Sequence, residues 1–160
     1  RSFEQLSLET IDSDIHTTKD GKYAMNTFIC KHKILGANLI QRDIQNIEQK
    51  IINEISSENF KATVKSKSAH KKVFEYPTRV NVSPSKKRDA SLITIETLDQ
   101  PNLLSKVANI FLEHGISIDS ARITTLGEKV EDNFTVIDEK TKLCISQSKT
   151  NQLQKKLKNL

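Results

Sequence analysis

The stretch that decides the fold runs from residue 91 to residue 136 and reads SLITIETLDQPNLLSKVANIFLEHGISIDSARITTLGEKVEDNFTV. SLITIETLD alternates apolar and polar side chains, which predicts a half-buried strand. The breaker Asp99-Gln100-Pro101-Asn102 follows, and apolar residues then recur at helical spacing until Gly115 ends the predicted helix. Two further strands flank a turn at Gly127. The stretch therefore predicts strand, helix, strand, strand.

The chain repeats this pattern closer to its N-terminus. Residues 8–17, LETIDSDIHT, align with residues 116–125, ISIDSARITT, at an offset of 108 residues. The same alignment pairs Phe3 with Phe111 and, after a slip of two residues, Gly21 with Gly127, Asn26 with Asp132 and Phe28 with Phe134. Each half therefore contains a strand, a turn with glycine, and a second strand.

A helix with one apolar stripe is predicted after each hairpin. The stripes consist of Ile44, Ile47, Ile51 and Ile55 in the first copy and of Leu153, Leu157 and Leu160 in the second. Asp43 and Thr150 are the expected caps of these helices. A strand around residues 76–82 is expected to close the first copy, with Pro77 confining it to a sheet edge or a strand start.

The repeat indicates an α+β fold made of two ferredoxin-like βαββαβ modules, each an antiparallel sheet with helices on one face. The first module is expected over residues 1–83, a linker over 84–91 and the second module over 92–160. Both copies read as truncated, because the first lacks its opening strand and most of its first helix and the second lacks its last strand.

The positive charge is concentrated in one segment. The whole chain of 160 residues has 25 Lys and Arg against 20 Asp and Glu, for a net charge of +5. Residues 61–88 contain nine Lys and Arg and the single acid Glu75. The part within 61–72 shows no helical or strand periodicity, so it reads as a solvated and mobile connector. The less favoured interpretation is a docking patch for an acidic partner or nucleic acid.

Several classes of protein are disfavoured by the composition. No apolar run approaches the roughly 20 residues of a membrane span. The N-terminus has no signal peptide, so it reads as a fragment boundary in a cytoplasmic protein. Cys30 and Cys144 lie in apolar stretches and are expected to be small buried side chains without a disulfide. The histidines share no metal-ligand spacing, so no metal site is expected.

Catalysis within these residues is not expected. The sequence contains no glycine-rich phosphate loop, no His-Asp metal pair, no Gly-Ser with nearby paired aspartates and no nucleophile elbow. We therefore predict no catalytic residue and no cofactor here.

The order of elements also fits two classes of binding module. RNA recognition uses the same order of elements, but the two central strands offer only Phe134 for stacking, and that ring is expected to pack inward. An assembly role through the pairing of sheet edges is compatible with the sequence and would give a homo-oligomer.

These residues together resemble the ACT domain family, small regulatory modules that bind amino acids. The resemblance rests on the Asp99-x-Pro101 turn, the S-A-R-I strand and the Gly127…Asp132-x-Phe134 hairpin. Asn102 stands where the family usually has glycine. More narrowly, the two modules are similar to the C-terminal tandem of the bifunctional enzymes that uridylylate and deuridylylate the PII signal protein.

The resemblance implies a regulatory region that senses glutamine and shifts its parent enzyme between these two activities. Magnesium would then be needed only by the catalytic domains of the parent, and PII would be reached through that enzyme. A site of this type needs a backbone turn at a helix N-terminus for the ligand carboxylate and acceptors for its ammonium group. The predicted ligand-binding residues are Asp99, Gln100, Pro101, Asn102, Leu103 and Leu104 with Ile118 and Asp119, the last two from a neighbouring module.

Overall fold

A computed structural model of the chain describes residues 2–18, 20, 22–36, 38–56, 76–87 and 89–160. The predicted basic connector within 61–72 lies outside the described residues. The elements are α1 (Ser2–Gln5), β1 (Leu8–Thr17), β2 (Ala24–His32), α2 (Gln41–Ser56), β3 (Arg79–Pro84), β4 (Ser91–Leu98), α3 (Leu103–Glu113), β5 (Ile116–Leu126), β6 (Lys129–Asp138) and α4 (Gln147–Leu157).

The described strands form one antiparallel sheet in the order β2-β1-β5-β6-β4-β3. The predicted α+β class with an antiparallel sheet is confirmed. Helices α3 and α4 cover one face of the second half, which we call the helix-covered face. The core between these helices and the sheet is formed by residues that are almost fully buried, among them Ile93, Ile95, Phe134, Val136, Val107, Phe111, Leu153 and Leu157.

The opposite, open face of the sheet is polar. Residues paired across neighbouring strands point to the same face, so the register defines rows of side chains that cross the whole sheet. One such row consists of Asn81, Thr94, Asn133, Arg122, Asp14 and Thr27. Phe134 packs inward as predicted, since its ring is buried against that of Phe111.

The internal repeat is present in three dimensions. Phe111 and Phe134 meet edge to face with ring centroids 5.2 Å apart, and their repeat equivalents Phe3 and Phe28 do so at 4.8 Å. The strands are irregular at equivalent places too. The register shifts between Thr10 and Asp12 in the first hairpin and between Ile118 and Ser120, 108 residues later, in the second.

The two halves meet where β1 pairs with β5. At the centre of this junction Asp14 lies opposite Arg122, its own repeat equivalent. Two hydrogen bonds flank the pair: the Thr17 hydroxyl donates to the Ile118 carbonyl at 3.0 Å, and the Thr125 hydroxyl donates to the Thr10 carbonyl at 3.4 Å. These bonds are equivalent under the repeat, so a pseudo-twofold axis passes between Asp14 and Arg122.

This arrangement places opposite charges face to face at the axis. The substitution Arg122→Asp would set two acids opposite each other, and we expect it to lower the free energy of unfolding by about 0.5–1 kcal/mol. The double variant Asp14→Arg with Arg122→Asp restores opposite charges and should recover most of that loss. Urea denaturation of the single and double variants measures the coupling, and strictly additive effects would contradict it.

Strand β3 differs from its predicted place. We expected it to close the first module, but it pairs with β4 over the whole of Arg79–Pro84. The reason is the short connection to β4, which favours a hairpin, together with Val80 and Val82, which lie opposite Ile95 and Ile93 and extend the core. The predicted module boundaries at 84–91 stay a prediction.

Two local predictions were also wrong, and the capping role of Asp43 was confirmed. Helix α4 is capped by Ser146, whose hydroxyl accepts from the Lys149 amide, while Thr150 is buried. Helix α2 begins at Gln41, and the Asp43 carboxylate reaches back to the Ile40 amide at 3.1 Å. Cys144 is exposed, although Cys30 is half-buried. Each error comes from judging single residues without knowing where an element begins or what covers it.

Candidate ligand site

The ligand loop, residues 99–104, joins the end of β4 to the start of α3. The Asp99 amide donates to the Glu128 carbonyl at 2.8 Å, which ties the loop to the β5–β6 turn. The Leu103 amide donates to the Gln100 carbonyl at 3.2 Å and closes a tight turn. Asn102 adopts the left-handed conformation with φ of 63°. Asparagine tolerates this conformation better than most residues, so Asn102 fills the backbone role that glycine has in the ACT family.

The N-terminus of α3 is suited to an anion. The first amides of a helix have no partner within it and carry a partial positive charge. The Asn102 side chain does not cap this helix. In the loop Asp99 and Pro101 are exposed and Gln100 and Asn102 half-buried, whereas Leu103 belongs to the core.

Ile118 and Asp119 lie at the other end of the sheet. Leu98, Lys129 and Leu126 form one row next to the ligand loop. Ile118 precedes Leu126 by eight residues, which corresponds to about 25 Å along an extended strand. Asp119 forms an ion pair with Lys87 from the β3–β4 connection. The structure therefore does not bring the predicted site residues together within one module.

The start of β1 in the first module lies at the same end of the sheet as the ligand loop, with β5 and β6 between them. Because β1 runs antiparallel to β5, the end of β5 near the loop faces the start of β1, where the Thr125 hydroxyl donates to the Thr10 carbonyl. Thr10 and Ile11 are the repeat equivalents of Ile118 and Asp119. A site between modules would thus combine the ligand loop with Thr10–Asp12.

Asp132 is the residue that the sequence reasoning did not place in the site. Its side chain is on the helix-covered face with 0% exposure, and neither carboxylate oxygen has a hydrogen-bond partner. Burial, with a contribution from the Asp99 carboxylate, raises the pKa of Asp132 to about 7. The available signal was its position in the Asp132-x-Phe134 motif, where an acid falls in register with the inward Phe134.

The remaining chemistry of the described residues is sparse. They include no group of three or more His, Cys, Asp or Glu side chains arranged to hold a metal ion. Within the same part of the chain, every helix is too short or too polar to cross a membrane. Asp138, bound by Lys149 at 2.6 Å, has its pKa lowered to about 2 by that hydrogen bond and by two backbone amides, and it fixes the turn after β6.

Residues 91–142 match the ACT domain family. This match begins with β4 and contains the ligand loop, α3 and the β5–β6 hairpin. The second half of the chain is therefore an ACT domain, a regulatory module with a ferredoxin-like fold.

Beyond this domain, most of the chain is similar to bifunctional uridylyltransferase/uridylyl-removing enzymes. It is 33% identical over 136 residues to that enzyme of Nitrosospira multiformis, covering 84% of this chain and 15% of the relative. It is 32% identical over 145 residues to that of Psychrobacter cryohalolentis, and the match covers 86% of this chain and 15% of the relative. It is 33% identical over 139 residues to that of Ralstonia nicotianae, and the match covers 82% of this chain and 16% of the relative.

The chain spans about 15% of the length of these curated relatives. No solved structure matches it. The similarity makes the chain an ACT-containing regulatory region homologous to part of the bifunctional enzyme.

Proposed function

We propose that this chain is the amino-acid-sensing region of a bifunctional uridylyltransferase/uridylyl-removing enzyme and that glutamine is its ligand. The observation that supports this best is the position of the ligand loop. It leads into α3 at the end of the sheet where the Thr125 hydroxyl donates to the Thr10 carbonyl at the junction of the two modules. A ligand that extends from the loop across β6 and β5 would touch both halves of the chain.

Regulation then follows from differential binding. A ligand shifts an equilibrium only when it binds one arrangement of the modules more tightly than the other. A coupling of about 1–3 kcal/mol would change the balance between uridylylation and deuridylylation of PII roughly 5- to 150-fold. The junction through which such a shift would act consists of the β1–β5 strand pair, two side-chain hydrogen bonds from Thr17 and Thr125, and Ile15 packed against the core.

Isothermal titration calorimetry of this chain at fixed salt tests the proposal. We expect saturable heat with glutamine, and weaker or no heat with glutamate or a short RNA. Asp99→Asn should weaken glutamine binding about tenfold, because it removes a charge that can attract the ligand ammonium group. Glu113→Gln, the same change at the other end of α3, is the matched control.

Absence of heat with every amino acid would contradict the sensing role and favour assembly instead. That alternative is supported by the first half of the chain. Among the described strands, β2 pairs only with β1, and α2 has no buried residue, with Ile55 78% exposed. A second copy pairing at this edge would cover both features. Heat with RNA alone would contradict both roles, and the polar open face of the inner strands offers no stacking aromatic for it.

A further inference from the structure

Four buried polar atoms of the described residues have no hydrogen-bond partner in the structure. They are Asp12 Oδ1, Ser13 Oγ and both carboxylate oxygens of Asp132. Asp12 and Ser13 are on β1 and Asp132 is on β6, with β5 between them. Buried polar side chains in folded proteins nearly always have hydrogen-bond partners, so Asp132 and Ser13, the two buried residues among these, require an explanation.

Asp132 and Ser13 lie on the same face and in the same row of the sheet. The register Ile95–Asp132–Ile123–Ser13 runs across four strands on the helix-covered face. Asp132 and Ser13 are two strands apart, which corresponds to about 10 Å, and the apolar Ile123 side chain stands between them. One polar group comes from each module.

Asp132 is near the ligand loop. Asp99, the first residue of the loop, is close enough for its charge to act on Asp132. Asp132 also lies three positions along β6 from Lys129, which is opposite Leu98 at the start of the loop. The orphan carboxyl is thus beneath the turn that leads into α3, on the same side of the sheet as that helix.

We infer that Asp132, together with Asp99, binds the ammonium group of an amino-acid ligand whose carboxylate lies at the N-terminus of α3, and that Ser13 of the first module receives the ligand's polar side chain. This inference rests on the proposed function and adds the residues that select the ligand. An anion-binding helix end and a nearby carboxyl group match the two charges of a zwitterion. Ile123 provides an apolar surface for the methylene groups between the polar ends.

Binding requires the ligand loop to move. Asp132 has no exposed surface, so a ligand reaches it only when the turn held by the Asp99–Glu128 and Leu103–Gln100 backbone bonds shifts away from the sheet. The ligand then supplies the missing hydrogen-bond partners, and closure of the turn seals the site.

The ionisation of Asp132 gives a direct readout. At pH 7 a carboxyl group with a pKa of about 7 is about half protonated. An ammonium partner favours the carboxylate form, so glutamine binding should release about half a proton at this pH. A residue with a purely structural role would not release a proton on binding.

The experiment is titration calorimetry of the whole chain with glutamine at pH 7 in two buffers of different ionisation enthalpy. For Asp132→Asn we expect affinity at least tenfold weaker and no proton release. Ser13→Ala should bind several-fold more weakly while still releasing protons. Glu131→Gln, the neighbouring change on the open face, should behave as the unchanged chain. Circular dichroism confirms that each variant is folded.

The outcomes separate the two proposals. If the unchanged chain binds glutamine but Asp132→Asn and Ser13→Ala bind it equally well, without proton release in any of them, the inference is overturned and the proposed function stands. If the unchanged chain binds no amino acid, both are overturned. Loss of proton release in Asp132→Asn alone, with the expected loss of affinity, supports the inference.

Discussion

Replacing Phe111 by alanine is expected to lower the free energy of unfolding by about 3–5 kcal/mol. Phe111 is 1% exposed and lies where α3 meets the sheet, with its ring edge to face against Phe134 at 5.2 Å. The substitution removes the buried ring, the aromatic contact and the support for Val107 and Leu103 on the same helix. Urea denaturation followed by circular dichroism measures the loss as a lower midpoint at unchanged slope.

Phe3→Ala is the matched control, because Phe3 occupies the equivalent place in the first module. Its ring makes the same edge-to-face contact with Phe28, but both rings are only half-buried. We expect a loss of about 1 kcal/mol or less, since little apolar surface returns to water. Equal losses in the two variants would show that the first module has a core as closely packed as the second, contrary to the burial described here.

Much of the fold could be predicted because it follows from local patterns. The alternation in SLITIETLD, the breaker at Asp99–Asn102 and the helical spacing up to Gly115 each depend on neighbours a few residues away. The repeat added long-range information, since Phe28 and Phe134 could be identified as equivalent positions before any contact was known. Such patterns predict the elements and their order.

These patterns did not predict which strand each edge strand of the sheet pairs with. Strand β3 carries the alternation of an edge strand wherever it lies, and only the short connection and the core beside β4 decide its partner. The candidate site depends on the same kind of information. Ile118 was predicted to reach the site from a neighbouring module, and that stays a prediction. Within the chain, its repeat equivalent Thr10 lies at the same end of the sheet as the ligand loop.

Asp132 shows a further limit of pattern reasoning. A polar residue in an alternating strand is normally assigned to the solvent side. Here Asp132 belongs to the alternate residues of β6 that face the core, with Val130, Phe134 and Val136, all of them buried. The alternation alone therefore indicates that Asp132 points inward, but it gives no reason for a carboxyl group there.

The stability of the chain is expected to fall as the pH rises from 4 to 7, because of Asp132. Its carboxyl has an ordinary pKa of 3.8 in the unfolded chain and a pKa of about 7 in the folded chain. Between these values the folded state binds more protons than the unfolded state, so raising the pH favours unfolding. The loss is complete above pH 7 and is on the order of 4 kcal/mol.

Asp132→Asn removes this dependence, because the amide does not titrate. The variant should match the unchanged chain near pH 4 and exceed its stability at pH 8 by a few kcal/mol, whereas Glu131→Gln should keep the original slope. Asp138 acts in the opposite direction, since its lowered pKa favours folding above pH 4 and that contribution is lost only as the pH falls towards 2. The two effects therefore occupy separate pH ranges.

Urea denaturation at pH 4, 5, 6, 7 and 8 measures the slope, and the carbon-13 shift of the Asp132 carboxyl assigns it to that residue. A slope that persists in Asp132→Asn would place the titration elsewhere and contradict the prediction. Glutamine adds a second test, because a ligand that binds the carboxylate should flatten the slope at saturating concentration. Loss of the slope at saturating glutamine would support the binding role proposed for Asp132, and an unchanged slope would contradict it.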